Sequence, residues 1–512
     1  MTHRTLSPLR AALFAGAALL GLAALSPSAL AQSELRIGLQ DDPDSLDPAQ
    51  NWSFVGRHVL QSMCDKLVDI DSQGNIAPML ATKWAWSEDG KTLTLNLRPN
   101  VVFHDGTPFD AAAAKFSLDR GLTMKSSRRR AEIDAIDTMD VVDPLTLRIN
   151  LKAASVPLLA ALTDRAGMMV SPTAAQAAGD NFAKNPVCAG PYKFVEHKAQ
   201  DRIVLEKFPQ HYRAKDFAFN RLIFQGMPDS NVRLLNLKSN QLQLIERLSP
   251  TDISAVEKDK TLQVFESATL GYYAITFNMA NGDGAASSEF SKSRALRQAF
   301  DLAIDRNAIN QVAFEGRFDA GNQAFPPQSP WYDKAQPVKP RDLDAAKAKL
   351  KEAGIKDAKI ELLVPTDPQR QQVAQIVQSM VAEAGITMTI RSVELMSLLA
   401  AGREGKFQAH LVGWSGRVDP DLNYGPLLGC GAAGNDGKYC NRDMDAILAK
   451  ARAIADPESR KPLYAQVAKI LLDDLPLSYI YHGKWTFAAR ANLKGLKAYP
   501  DGVIRLDSVT AQ

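Results

Sequence analysis

Cysteine and histidine are scarce in this chain: four and seven residues respectively among 512. No two cysteines have the two-residue spacing of a zinc pair, and the histidines are scattered, so a metal centre does not organise the sequence. His-Glu-x-x-His and Gly-x-x-x-x-Gly-Lys are both missing, which removes the zinc peptidases and the phosphate-loop nucleotide enzymes, and no cofactor is expected. Gly413-Trp414-Ser415-Gly416 begins like a nucleophile elbow. Arg417 then occupies the place of the closing glycine, where the sharp strand-to-helix turn requires a small residue. Charge of one sign is also missing: 60 Lys and Arg stand against 57 Asp and Glu, giving +3, too little for a nucleic-acid partner. Beyond the first 31 residues no apolar run approaches the roughly 20 residues needed to span a bilayer.

What is present starts with an export signal. Arg4 and Arg10 form a positive end, Ala11 to Leu25 a short apolar run, and Ala29-Leu30-Ala31 a small-x-small cleavage site, so residues 1–31 read as a signal peptide and Gln32 as the first mature residue. No cysteine follows the apolar run, so a lipid anchor is not indicated, and a bacterial periplasm is the expected location. In that oxidising compartment the four cysteines can form two disulfides. Cys430 and Cys440 bracket the glycine-rich Gly431-Ala432-Ala433-Gly434-Asn435-Asp436-Gly437, and Cys64 and Cys188 are left for each other. A chain of this length exceeds one hydrophobic core and should divide into two or three units.

Periodicity gives the order of elements. Glu34 to Leu39 alternates as a strand, Phe54 to Cys64 can form a helix, and Asp89-Gly90 joins two strand-like runs as a hairpin. Trp84, Trp86 and Phe103 in this region read as core, and His104 as a loop hydrogen-bonder. In the second half, helix Asp342 to Gly354, strand Lys359 to Val364, helix Gln369 to Ala384, strand Thr387 to Arg391, a further helix, and strand Phe407 to Val412 follow one another. That alternation predicts a mostly parallel sheet covered by helices, which binds ligands at the carboxyl ends of its strands. Trp414 lies at such an end, followed by Arg417, Asp419 and Asp421. Asp443 to Leu472 reads as helix, and Pro476 to Phe487 as an aromatic strand-like run.

The run Ala81 to Ala111, with its tryptophans, Asp-Gly turn and Phe103-His104-Asp105-Gly106-Thr107-Pro108-Phe109, resembles the signature of the bacterial extracellular solute-binding proteins of family 5, periplasmic components of peptide and nickel ABC importers. Asn185 to Phe194, Gly271 to Asn278 and Arg294 to Arg306 extend the resemblance over nearly the whole mature chain, with Cys188 where a small residue is usual. It implies an α/β fold of the two-lobed periplasmic-binding type II, with a discontinuous first lobe and a hinge. Its units would be lobe I at 32–268, lobe II at 269–483 and a return to lobe I at 484–512. The implied function is capture of a peptide or peptide-like solute, without catalysis, by a monomer that delivers it to membrane permease subunits. An anionic non-peptide solute and a nickel complex are the alternatives. The ligand-binding candidates are Trp414, Arg417, Asp419, Tyr272, Tyr273, Trp52 and Phe54. Peptide binders of the family carry an Asp where Arg417 stands. Two roles are therefore open to Arg417, pairing with an anionic ligand group or with Asp419 or Asp421, and Asp419 is the substitute partner for a ligand amine.

Overall fold

The computed structural model describes residues 34–512, so the signal expected at Met1 to Ala31 lies outside the described residues. Two large sheets dominate. The first has seven strands in the order Leu262–Ala268, Lys484–Arg490, Leu244–Glu246, Glu34–Leu39, Arg221–Gly226, Arg202–Lys207, Tyr192–Lys198. The second has six, ordered Asp319–Ala320, Leu477–His482, Tyr272–Phe277, Ala409–Trp414, Ala358–Pro365, Ile386–Val393. A smaller antiparallel sheet of four strands carries the expected hairpin, pairing Ala81–Trp86 with Thr92–Leu97.

The chain changes sheet twice. Leu262–Ala268 belongs to the first sheet and Tyr272–Phe277 to the second; Leu477–His482 belongs to the second and Lys484–Arg490 to the first. Leu262–Ala268 and Lys484–Arg490 are themselves antiparallel partners, with Ala268 opposite Lys484, so the two crossings lie side by side. Gly271 is required at one of them, because a Cβ there would meet the Trp414 carbonyl oxygen at 1.7 Å. After the return, Leu493, Ile504 and Leu506 pack into the core under the first sheet with Leu35, Ile37 and Phe224.

The second sheet is mixed, which corrects the mostly parallel expectation. Ala358–Pro365 runs parallel to Ile386–Val393 and to Ala409–Trp414, but Tyr272–Phe277 is antiparallel to both of its neighbours. The helix alternation reports only the three parallel strands; Tyr272–Phe277 and Leu477–His482, which are antiparallel to each other, adjoin the two crossings and lie far apart in sequence. The run from Asp443 expected to be helical is two helices, Arg442–Arg452 and Pro457–Asp474, divided where the Asp456 side chain caps the second and Pro457 opens it. The aromatic run from Pro476 is two strands parted by Gly483. Phe103 is fully buried, whereas Trp84 and Trp86 are half-buried against the same core. His104 Nε2 lies 3.0 Å from the Gly190 carbonyl oxygen, a loop tether.

Candidate functional site

A cavity of about 250 Å3 lies between the two large sheets and draws its walls from both. Trp52, Phe54, Arg247 and Trp485 come from the first side; Tyr272, Tyr273, Tyr481 and Trp414 come from the second. This is just below the range of about 300–1,000 Å3 usual for small-molecule sites. Five of the seven ligand-binding candidates named from sequence therefore line one cavity.

Each aromatic wall is held by a specific partner. Arg165 donates through Nη1 to Asn51 Oδ1 at 2.7 Å and to the carbonyl oxygens of Trp52 and Ser53 at 3.1 and 3.0 Å, which fixes the segment presenting Trp52 and Phe54. Phe54 stacks on Trp485 with ring centroids 4.3 Å apart. Tyr273 stacks on Tyr481 at 4.5 Å and lies across Gly413, where a Cβ would come within 2.6 Å of the tyrosine ring. Trp414 donates from Nε1 to Asn423 Oδ1 at 2.8 Å. The same oxygen accepts from the Arg417 amide at 2.9 Å, while Asn423 Nδ2 donates to the Arg417 carbonyl at 3.0 Å. One buried asparagine thus ties the tryptophan to the turn that follows it.

Among the cations lining the cavity, Arg247 is the one set between the aromatic walls, and the sequence reading did not single it out. It follows strand Leu244–Glu246 in a left-handed conformation, φ +53°, unusual for a side chain of this size. Arg233 holds that backbone, donating to the carbonyl oxygens of Glu246 and Arg247 at 3.3 and 3.1 Å. The Arg247 guanidinium lies 5.2 Å from the Phe54 ring and 5.1 Å from the Trp485 ring, and Nη1 donates to the Tyr273 hydroxyl at 2.8 Å. Burial pulls its pKa down, but the neighbouring Tyr273 hydroxyl and Glu246 carboxylate more than offset this, so it stays charged. The only hint in the sequence is a cation at a strand end before Leu248-Ser249-Pro250, which nothing local distinguishes from a solvated arginine.

Arg417 and Asp419 are placed differently from the cleft-facing expectation. The strand ends at Trp414, and the next residues leave the second sheet: Val418 and Leu422 pack into the core of the four-stranded sheet. Arg417 goes with them, 5 % exposed, with Nη2 2.8 Å from Asp164 Oδ2 and Nη1 donating to the Gly416 carbonyl at 2.8 Å. Its guanidinium also lies 4.6 Å from the Trp414 ring centroid. Its nearest carboxylate partner is thus Asp164, with Glu132 Oε1 at 3.7 Å, and neither Asp419 nor Asp421. Asp419 is taken by Arg460, through two contacts of 2.7 and 2.8 Å, and also caps the following turn at the Asp421 amide. Neither residue lines the cavity.

The cysteines pair as Cys64–Cys188 and Cys430–Cys440. Among the described residues no group of three or more His, Cys, Asp or Glu is placed to hold a metal ion. No helix there is long and apolar enough to cross a membrane.

The sequence model of the bacterial extracellular solute-binding proteins of family 5 (middle region) matches residues 75–435. The dipeptide-binding protein of Escherichia coli strain K12 is 27 % identical over 470 residues, covering 85 % of this chain and 86 % of the relative. A glutathione-binding protein of Salmonella paratyphi A is 28 % identical over 489 residues, with 92 and 93 % covered. Among solved structures, a dipeptide-binding protein of Pseudoalteromonas sp. SM9913 in complex with Met-Leu superposes with a TM-score of 0.86 at 24 % identity, over 94 % of this chain and all of the other. These likenesses establish the two-lobed periplasmic-binding fold.

Proposed function

The chain belongs to the bacterial extracellular solute-binding proteins of family 5, and from that premise we propose that it captures a small peptide-like solute bearing a free carboxylate. Residues 32–268 with 484–512 form one lobe and 269–483 the other, with the hinge at the paired crossings. The observation that carries the ligand class is the cavity itself: an aromatic box between the sheets with the Arg247 guanidinium stacked in its wall. Aromatic faces bury the solute's apolar surface and exclude water, and a desolvated guanidinium then binds a carboxylate more strongly than it would in solution. Arg247 is fixed by two rings and the Tyr273 hydroxyl, so little side-chain entropy is lost when the ligand arrives. The cavity volume favours a solute of dipeptide size over a long peptide. Relatives that bind dipeptides and glutathione support the reading, since both ligands carry carboxylates and amide bonds.

On this reading residues 1–31 direct export, and the mature monomer works in the periplasm, releasing its solute to ABC permease subunits. No catalysis is assigned, in keeping with relatives that are binding proteins.

A thermal-shift screen of dipeptides, tripeptides, glutathione and small non-peptide anions tests this. A peptide at 100 times its Kd should stabilise the protein by about 2.7 kcal/mol, a rise of about 5–10 °C for a lobe of this size. Arg247→Ala should then weaken that peptide about 10- to 150-fold in calorimetry, the range of a charge-assisted hydrogen bond. Stabilisation by non-peptide anions alone would replace peptide with that class, and hydrolysis of a screened compound would overturn the binding-only reading.

A further inference from the structure

The cavity wall carries polar chemistry that the preceding account leaves unused. His410, on strand Ala409–Trp414, is 5 % exposed and lines the cavity, and neither ring nitrogen has a hydrogen-bond partner among the described residues. A buried imidazole with both nitrogens unmatched costs folding free energy unless something else in its surroundings satisfies it. Facing it is Asp436, also on the cavity wall, with Oδ2 4.0 Å from His410 Nε2, too far for a hydrogen bond between them. The Asp436 carboxylate accepts no hydrogen bond from any side chain or amide of the described residues, although it is mostly buried.

The loop bearing Asp436 is tied down by hydrogen bonds and a disulfide. Asn281 donates to the Asp436 carbonyl at 2.9 Å, and the amides of Met279 and Ala280 donate to the Gly437 carbonyl at 2.8 and 3.0 Å. Asn435 donates to the carbonyl oxygens of Gly429 and Tyr439, and the Cys430–Cys440 bond closes the loop. Gly402 leaves room for the carboxylate, since a Cβ there would come within 2.7 Å of Oδ2. The carboxylate is therefore held in place by contacts that leave its oxygens unused. Burial raises its pKa to about 6, against the lowering influence of Arg403, Lys438 and Arg128, none of which bonds to it.

Resting on the reading of the cavity as a peptide-like solute site, we infer that Asp436 and His410 form the subsite for the protonated amine of the solute. An ammonium has three donors and no acceptor, which suits one carboxylate and one neutral imidazole nitrogen a few ångströms apart. Burial holds the His410 imidazole in its neutral form, with a pKa near 4, so it accepts. A bound ammonium pairs with the carboxylate and donates to the acceptor nitrogen of the imidazole. With Arg247 in the same cavity, the site selects a solute that carries a cationic nitrogen and an anionic oxygen group. The amine role considered for Asp419 thereby passes to Asp436.

The test uses calorimetry at pH 7.5 on the full mature chain with three probes: Met-Leu, N-acetyl-Met-Leu and Met-Leu amide. For the unaltered protein, acetylation should weaken binding about 10- to 150-fold. Asp436→Asn should weaken Met-Leu by a similar factor while leaving the acetylated probe unchanged, because each change removes the same contact. His410→Gln should show the same selectivity with a smaller loss. The comparison of probes on the unaltered protein stands even if a variant misfolds. Equal affinity for Met-Leu and its acetyl form would overturn the subsite while the peptide reading stood. Equal losses on both probes in Asp436→Asn would do the same. If neither these three probes nor any dipeptide, tripeptide or glutathione of the screen binds the unaltered protein, the peptide reading falls and this inference with it.

Discussion

Asp164 is the perturbation that best tests how the loop after Trp414 is held. Its carboxylate lies 2.8 Å from Arg417, 3.1 Å from Arg57 and 3.5 Å from Arg165, and all four residues are buried. Burial pushes Asp164 up, but the guanidinium groups of Arg417, Arg57 and Arg165 pull it well below the usual carboxylate range. Asp164→Asn keeps the shape and removes the negative charge that touches all three cations, leaving Glu132 at 3.7 Å from Arg417 and Asp501 at 3.8 Å from Arg57. Removing one partner of a buried pair costs about 3–5 kcal/mol, because the stranded charge cannot recover its hydration. At about 2–4 °C per kcal/mol for a lobe of this size, calorimetry should show a loss of about 6–20 °C. Arg417→Ala should cost less, about 2–3 kcal/mol, since Asp164 keeps Arg57 and Arg165, and the loss is one charged contact plus the stacking on Trp414. The double variant is the discriminating case. Once the carboxylate is gone, removing Arg417 relieves repulsion among the remaining cations, so the two losses should fall short of additivity by at least about 1 kcal/mol. Because Arg417 stands off the cavity wall, Arg417→Ala should change solute affinity by less than about tenfold. A larger loss for Arg417→Ala than for Asp164→Asn, or a selective loss of anionic solutes, would refute the reasoning and return Arg417 to the ligand.

Two further predictions are independent of it. In the chain-entropy account, the Cys430–Cys440 bond, closing 10 residues, should contribute about 3 kcal/mol, and Cys64–Cys188, closing 124, about 5 kcal/mol. Alkylation without reduction should label no thiol, and Cys64→Ala/Cys188→Ala should lower the melting temperature more than the Cys430/Cys440 pair; the reverse order would reject loop closure as the dominant effect. Asp421 is raised to about 6 by burial, which the Arg452 contact at 2.8 Å only partly opposes. A carboxylate whose folded value is raised contributes stability that is complete below its unfolded value and is lost as pH rises through the folded one. Wild-type stability relative to Asp421→Asn should therefore fall by up to about 3 kcal/mol between pH 4 and 7, read by denaturant titration; a flat difference would place Asp421 in a better-solvated setting.

Local pattern carries much of this protein. Alternation and turn residues mark the first strand, the Asp89-Gly90 hairpin and the parallel strands of the second sheet, because burial of one face imposes a period on the residues themselves. Trp414 was legible as a cavity residue because glycine and an aromatic at the carboxyl end of a strand are a local arrangement, and Tyr272 and Tyr273 because they follow the crossing at Gly271. The pairing of Tyr272–Phe277 between Ala409–Trp414 and Leu477–His482 was not, since antiparallel partners more than a hundred residues apart leave no joint periodicity. The same limit governs charge. Arg417, Asp419 and Asp421 sit within five residues and look alike on paper, yet one is matched by Asp164, one by Arg460 and one by Arg452. Conversely Arg247, His410 and Asp436 have unremarkable neighbours in sequence and meet only across the cavity. Which face a side chain takes follows from period; which partner it finds, and whether that partner leaves it free for a ligand, is decided by packing between segments that the chain order keeps apart.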